Sequence, residues 1–266
     1  MAALTDAHPA AGSLKARTLG HASLAVYREG ERPLLLTDPW LIGSVYWRSW
    51  WLQHYPSADD IEWLQTTAHI YVTHEHPDHF HMPSIRRLGA GPTYLFPDLA
   101  ERGFLRQMTE HGYRAQTLPA RRWLALGEGV AILSIPVWND DSLLLIDTPS
   151  ALILNLNDAK PPPPMLRAIR RLADHIKKPR ILLCSYSPAS VVNSFLDENG
   201  VVSLRQPRHY VDYVCRLCDR LTAAYFLPFA SQAVFCRADS SWANDYRTTY
   251  NDLRRYWHSP TQLLPP

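Results

Sequence analysis

The chain has 266 residues, 46% of them hydrophobic, with 27 lysines and arginines set against 25 aspartates and glutamates for a formal net charge of +2. That is enough apolar material for a substantial core, and the balance of charge advertises no strong basic face for nucleic acid or anionic lipid. No window reaches the roughly 18 consecutive apolar residues of a membrane span, and Met1 to Lys15 lacks the pattern of a secretory leader, so the expectation is a soluble, cytoplasmic protein with no nucleic-acid partner and no membrane span.

Residues 1–15 are small and polar and read as a flexible N-terminal arm; residues 16–266 are expected to form a single domain. Alternating apolar residues run from Arg17 to Tyr27 and from Pro33 to Thr37, joined by a turn at Arg28-Glu29-Gly30-Glu31. Asp38-Pro39-Trp40-Leu41 ends the second strand, and an aromatic loop follows through Tyr46, Trp47, Trp50 and Trp51. A short helix at Ala58 to Thr66 precedes the strand His69 to Thr73. Pro83 suits a first helical turn, because its missing N–H is no loss there. A strand at Thr93 to Phe96, a helix from Leu99 to His111 and a strand-rich stretch from Arg114 to Val137 continue the alternation. The clearest later hairpin is Ser142 to Ile146, a turn at Asp147-Thr148-Pro149-Ser150, and Ala151 to Leu156. Beyond the Pro161 to Pro164 run come a helix at Leu166 to Ile176, a strand at Ile181 to Cys184, a helix at Pro207 to Leu221, a strand at Ala224 to Leu227 and a terminal helix at Trp242 to Trp257. No internal repeat is visible. Val211, Val214, Cys215 and Cys218 share one apolar helix face, so this cysteine pair reads as buried core rather than a redox pair.

The chemistry concentrates in Thr73-His74-Glu75-His76-Pro77-Asp78-His79, with His81 just beyond, directly after an apolar strand. In a loop leaving that strand, His74 and His76 can point to one side while Asp78 and His79 reach a second point nearby, so one loop serves two metal ions. Neutral imidazole suits zinc and other first-row ions, and a carboxylate makes a second cation tolerable close by. Glu75 should face away, and His81 reads as a supporting or surface histidine.

The His-x-His-x-Asp-His pattern resembles the metal motif of the metallo-β-lactamase superfamily. Leu19-Gly20-His21-Ala22-Ser23 and Leu36-Thr37-Asp38-Pro39-Trp40 are similar to the branch of ascorbate-6-phosphate lactonase and N-acyl-phosphatidylethanolamine phospholipase D. Asp38-Pro39-Trp40-Leu41 with Trp50-Trp51, Ile153 to Asp158, and Leu227-Pro228-Phe229-Ala230 resemble the oxygenase domain of CMP-N-acetylneuraminate hydroxylase. The resemblance implies an α/β fold of the αββα sandwich type, two metals at the sheet ends, and Asp158 as the carboxylate bridging them; Asp158 and His79 are the residues expected to carry catalysis.

Hydrolytic members of the superfamily add one histidine before the Ser142 strand and another after a late strand. Here those loops read Pro136-Val137-Trp138-Asn139-Asp140-Asp141-Ser142 and Leu227-Pro228-Phe229-Ala230-Ser231, without histidine. Asp141 is the preferred replacement ligand, with Asp140 in reserve. Such an oxygen-rich set favours iron or manganese over zinc. The expected metal complement is two ions, iron first, with zinc or manganese as alternatives. The favoured reading is a non-haem di-iron monooxygenase hydroxylating a small molecule. The alternatives are a dinuclear zinc hydrolase of a lactone, ester or phosphodiester, and a binding protein with a vestigial site. An oxygenase needs electrons, and with no Cys-x-His and Cys-x-x-His pair in the chain a separate electron-donor protein is expected. Trp47, Trp50 and Trp51 are candidates for a substrate wall or for core packing, and Tyr186 for a substrate contact or plain surface. His21 is expected to orient a metal ligand or the Asp38 carboxylate.

Overall fold

The computed structural model describes residues 13–99, 103–138, 140–188 and 207–266; residues 1–12, most of the expected arm, lie outside them. Two sheets face each other, with helices on both outer faces. The first has the order β1(Leu14–Leu19), β2(Ser23–Arg28), β3(Pro33–Thr37), β6(His69–Tyr71), β7(Thr93–Pro97), β8(Ala115–Leu118). The second has the order β16(Gln262–Leu263), β14(Tyr225–Pro228), β13(Arg180–Cys184), β12(Leu152–Asn157), β11(Asp141–Asp147), β10(Val130–Val137), β9(Trp123–Gly127). A small third sheet joins β4(Ser44–Val45), β5(Trp50–Leu52) and β15(Ala233–Phe235), tying the aromatic loop to the second half of the chain.

The side-chain period of two explains the layering. Along β11, Leu144 and Ile146 enter the core between the sheets, while Leu143 and Leu145 enter the core beneath the outer helices. Along β12, Ile153 faces inward and Leu152, Leu154 and Leu156 face the helices. Strands buried on both faces read as continuous apolar runs for this reason. The helices α1(Ala58–Gln65), α2(Met82–Leu88) and α3(Gly103–Glu110) cover the first sheet, and α4(Pro163–Ile176), α5(Pro207–Leu221) and α6(Tyr250–Tyr256) the second. Cys215 and Cys218 are fully buried in α5, as the apolar face implied. No helix among the described residues is long and apolar enough to cross a membrane.

Three expectations need correction. The alternation from Arg17 to Tyr27 is two strands. Gly20 adopts φ +59°, and a Cβ there would sit 2.8 Å from the Trp40 carbonyl oxygen, so the chain turns where only glycine fits and sets His21 at the turn. The stretch from Trp242 to Trp257 is two pieces, a 3-10 turn at Ser241–Tyr246 and α6. Thr249 starts α6 afresh through a capping box with Asp252. Finally, Leu14 and Lys15, expected in the arm, belong to β1 and pair with β2. The halves also follow a similar topology, although no repeat is visible in the sequence. In each, an antiparallel meander (β1-β2-β3, then β9-β10-β11-β12) runs into parallel strands (β3-β6-β7-β8, then β12-β13-β14-β16). At the end of each meander the chain turns left-handed at a residue whose short polar side chain tolerates it, Asp38 (φ +39°) after β3 and Asn157 (φ +51°) at the end of β12.

Candidate metal centre

The carboxyl ends of β3, β6 and β12 and the start of β11 meet at one edge of the sandwich, the usual place for a ligand site in sheets with parallel strands. The loop after β6 contributes His74, His76, Asp78 and His79. His74, Asp78 and His79 are buried, while Glu75 and His76 lie at the solvent edge.

The first cluster forms around His74. Its Nε2 lies 2.8 Å from His76 Nδ1, a separation suited to two nitrogens sharing one ion. Its Nδ1 faces Thr73 Oγ1 at 2.9 Å and Asp141 Oδ1 at 3.2 Å. The Thr73 hydroxyl donates to Asp38, so it accepts from Nδ1–H, and the lone pair of Nε2 points into the cluster.

A second cluster forms around His79. Its Nε2 is 3.3 Å from Asp78 Oδ2 and 3.5 Å from Asp158 Oδ2, and its Nδ1 is 3.4 Å from Asp38 Oδ2. His79 Nε2 and Asp158 Oδ1 are buried and have no hydrogen-bond partner within the described residues. Buried polar atoms are seldom left so. Three carboxylates therefore converge on one imidazole. Burial opposes a charge on His79, but Asp78 first, then Asp158 and Asp38, outweigh it and hold its pKa well above the ordinary value. Burial likewise opposes ionisation of Asp158, and the adjacent imidazole of His79 outweighs it, so its carboxyl stays below the usual range. This concentration of anionic oxygen, with orphaned donor atoms at its centre, fits a cation. The donor atoms of His74, His79 and Asp158 lie within 4.8 Å of one another, as do those of His21, Asp78 and His79.

Neighbours fix the orientation of these groups. Asp38, fully buried, accepts from Thr73 N at 2.8 Å and Asn157 Nδ2 at 2.6 Å, and Asn157 Nδ2 also reaches Thr73 Oγ1 at 2.9 Å. Tyr46 Oη donates to Asp78 Oδ1 at 2.7 Å. To place that hydroxyl the chain runs left-handed through Tyr46, Trp47 and Arg48 (φ +50°, +54° and +65°), a strain of about 1–2 kcal/mol per residue.

His21 joins the second cluster, with Nε2 at 3.4 Å from Asp78 Oδ2. Its Nδ1 accepts from the Gln232 backbone N–H at 3.1 Å. That N–H can only donate, so the proton of the neutral ring sits on Nε2 and points at Asp78. His21 is thereby placed to hold a ligand carboxylate rather than to bind an ion.

Other expected site residues are placed differently from one another. Asp141, the first residue of β11, turns back onto the Ser142 amide at 2.6 Å and touches the outer nitrogen of His74; it is outside both groups of converging donors. Asp140 is exposed in a left-handed turn (φ +53°), and the adjoining Asn139 lies outside the described residues. Trp47 is 87% exposed and Trp51 37%, so neither is core. Trp50 packs edge-on to Tyr46, Phe235 and His21. Tyr186 is buried, its hydroxyl accepting from Gln232 Nε2 at 2.9 Å. His81 is buried against Ser84, 2.8 Å from its Oγ. Sequence reasoning gave no site role to Tyr46, although it lies in the aromatic loop, or to Asn157, although it lies in the Ile153 to Asp158 stretch, and it missed Gln232 altogether.

No family model matches the chain. Among curated proteins it is 44% identical over 55 residues to the cytidine monophosphate-N-acetylneuraminic acid hydroxylase of Asterias rubens, a match covering 21% of this chain and 8% of that protein. The chain thus aligns with less than a tenth of that relative's length. Among solved structures it superposes on Igni18, a metallo hydrolase from the archaeon Ignicoccus hospitalis, with a TM-score of 0.60 at 13% identity over 95% of this chain and 94% of that one. It also superposes on a mutant of CmlA β-hydroxylase, with a TM-score of 0.57 at 15% identity over 84% of this chain and 46% of that one. A hydrolase and a hydroxylase thus share this architecture, and the superposition on YhfI of Bacillus subtilis, a metallo-β-lactamase fold protein, with a TM-score of 0.53 at 12% identity over 96% of this chain and 93% of that one, identifies the fold of the chain as the metallo-β-lactamase fold.

Proposed function

We propose that the chain is a dinuclear-metal oxygenase that hydroxylates a small organic substrate, R–H + O2 + 2 e− + 2 H+ giving R–OH + H2O. The observation that carries this reading is the carboxylate-rich edge: Asp78 and Asp158 face His79 Nε2, Asp38 and Asp141 stand behind His79 and His74, and the loops at 136–142 and 227–231 bring no histidine. His74, His76, Asp78, His79 and Asp158 would hold the ions. Two such ions, iron by the preference of anionic oxygen for a higher-charge metal, would supply the activation of dioxygen.

The chain's own residues prepare the site. Asp38 holds His79 from behind, Thr73 and Asp141 face the outer nitrogen of His74, and Tyr46 and His21 grip Asp78 from two sides. Such partners set the direction and basicity of ligand atoms. Electrons would come from a separate donor protein, because the chain carries no Rieske-type ligand pair.

The test is elemental analysis of protein expressed without added metal, followed by oxygen uptake by the reduced protein with candidate substrates. Stoichiometric iron and substrate-dependent oxygen consumption are expected. Two zinc ions with full-rate anaerobic hydrolysis of an ester, lactone or phosphodiester would replace this reading by the hydrolytic one, and protein without metal would leave a binding role.

A further inference from the structure

A cavity of about 350 Å³ adjoins the His/Asp cluster, and His21 forms part of its wall. Gln53, Tyr186, Gln232, Arg247 and Thr248 also line it, as does Pro266, the last residue of the sequence, and no aspartate or glutamate side chain does. Arg247 Nη2 donates to Gln53 Oε1 at 2.8 Å and reaches the Ser231 carbonyl oxygen at 3.5 Å. Among the described residues no carboxylate lies within ion-pair distance of this guanidinium, although burial lowers its pKa. A partly desolvated arginine with several unused N–H groups and no counter-ion is costly unless an anion arrives.

A neutral donor faces the same problem. Tyr186 Oη accepts from Gln232 Nε2, and its own proton has no acceptor among the described residues; burial raises its pKa to about 12, so the proton stays. The amide of Gln232 in turn holds His21, which links the cavity wall to Asp78.

We infer that this cavity binds the carboxylate of a small organic acid, with Arg247 as the counter-ion and Tyr186 as a hydroxyl donor. One unpaired guanidinium balances one negative charge, and its planar fork matches a carboxylate. A cavity of this volume suits a small molecule. As the place that holds a substrate beside the cluster it rests on the proposed oxygenase reading; anion binding itself does not.

The test uses benzoate and benzamide, which share a shape and differ in charge, with inorganic phosphate as a third probe. Binding to the full chain is followed by calorimetry and by the amide signals of Gln232 and Thr248, before and after removal of metal with a chelator. Benzoate should bind about tenfold or more tightly than benzamide, with or without metal, and should move both signals. Arg247→Gln should erase the preference and Arg247→Lys should keep part of it, which separates lost recognition from lost folding. Equal binding of benzoate and benzamide, no binding of benzoate, or benzoate binding untouched by Arg247→Gln would overturn the inference. Benzoate binding that disappears with the metal would assign the anion to the cluster instead, and tighter binding of phosphate would refute the carboxylate. A protein that binds no metal yet keeps the benzoate preference would sink the oxygenase reading and leave this one standing.

Discussion

Replacing Asp38 by alanine should weaken both the fold and the metal centre, and the structure sets the size of each effect. The carboxylate is fully buried and accepts from Thr73 N, Thr73 Oγ1 and Asn157 Nδ2 at 2.6–3.1 Å. Asn157 Nδ2 keeps Thr73 Oγ1 as an acceptor when Asp38 is truncated, and the Thr73 hydroxyl, though its own proton loses its acceptor, keeps Asn157 as a donor. The Thr73 amide keeps no acceptor, and an orphaned buried donor costs about 1–3 kcal/mol. The two lost hydrogen bonds add about 0.5–1.5 kcal/mol each, and relief of a buried charge offsets part of the sum. The net expectation is a loss of about 3 kcal/mol, or a fall in Tm of about 6–12 °C for a chain of this size. Because Asp38 also stands behind His79, metal affinity should fall about 10–100-fold, as for other partners of ligating histidines. Asp38→Asn keeps the volume and an acceptor for Thr73 but sets one amide against another at Asn157, so its loss should be smaller in stability and comparable in affinity. Thermal unfolding by circular dichroism and titration of metal into chelator-treated protein measure the two effects. An Asp38→Ala protein as stable as wild type within about 0.5 kcal/mol, with unchanged metal affinity, would refute the account.

Tyr71→Phe removes the hydroxyl that crosses from β6 to Ser134 and Ser142 of the facing sheet at 2.7 and 2.8 Å. Urea denaturation should show a loss of about 1–3 kcal/mol, and an unchanged midpoint would mean that the serines find other partners. His76→Ala and Asp158→Ala should each lose metal and activity together with little change in far-ultraviolet dichroism; stoichiometric metal in either variant takes that residue out of the site. Asp60 caps α1 and pairs with Arg17 at 2.6 Å. Burial opposes its ionisation, but Arg17 and Ser57 outweigh it, and its pKa lies below the ordinary 3.8. A depressed folded-state pKa gives stability that is present above the unfolded value and lost as pH falls through the folded one. The advantage of wild type over Asp60→Asn should therefore hold at neutral pH and shrink below about pH 4; an advantage that grows with acid would contradict the pairing.

Those parts of the molecule that depend on local pattern were legible in the sequence. The apolar strand into His74-Glu75-His76-Pro77-Asp78-His79, the Ser142 to Leu156 hairpin and the buried cysteine face of α5 all rest on short-range periodicity and turn chemistry. Contacts made across the fold were not. Tyr46 reaches Asp78 because three successive left-handed residues aim it, and nothing in Tyr46-Trp47-Arg48 signals that conformation. Gly20 breaks the first alternation because of a carbonyl contributed by Trp40, and glycine within an apolar run is an ambiguous mark. Asp141 was legible as a carboxylate before its strand, whereas its turn toward the outer nitrogen of His74 depends on where β11 begins relative to β6.

The similar topologies of the two halves make the molecule divisible. The first sheet ends at Leu118 and the second begins at Trp123, with Pro119, Arg121 and Arg122 exposed between them. His74, His76, Asp78 and His79 belong to the half before that segment, and Asp141, Asn157 and Asp158 to the half after it. Two polypeptides cut there and produced together would each carry one side of an incomplete centre, with apolar inner faces that bury only on meeting. Anything that binds the joined centre and neither part favours the pair by mass action. Reassembly of the fragments should then be promoted by the metal the centre takes, which makes the seam between the sheets a reporter of metal occupancy.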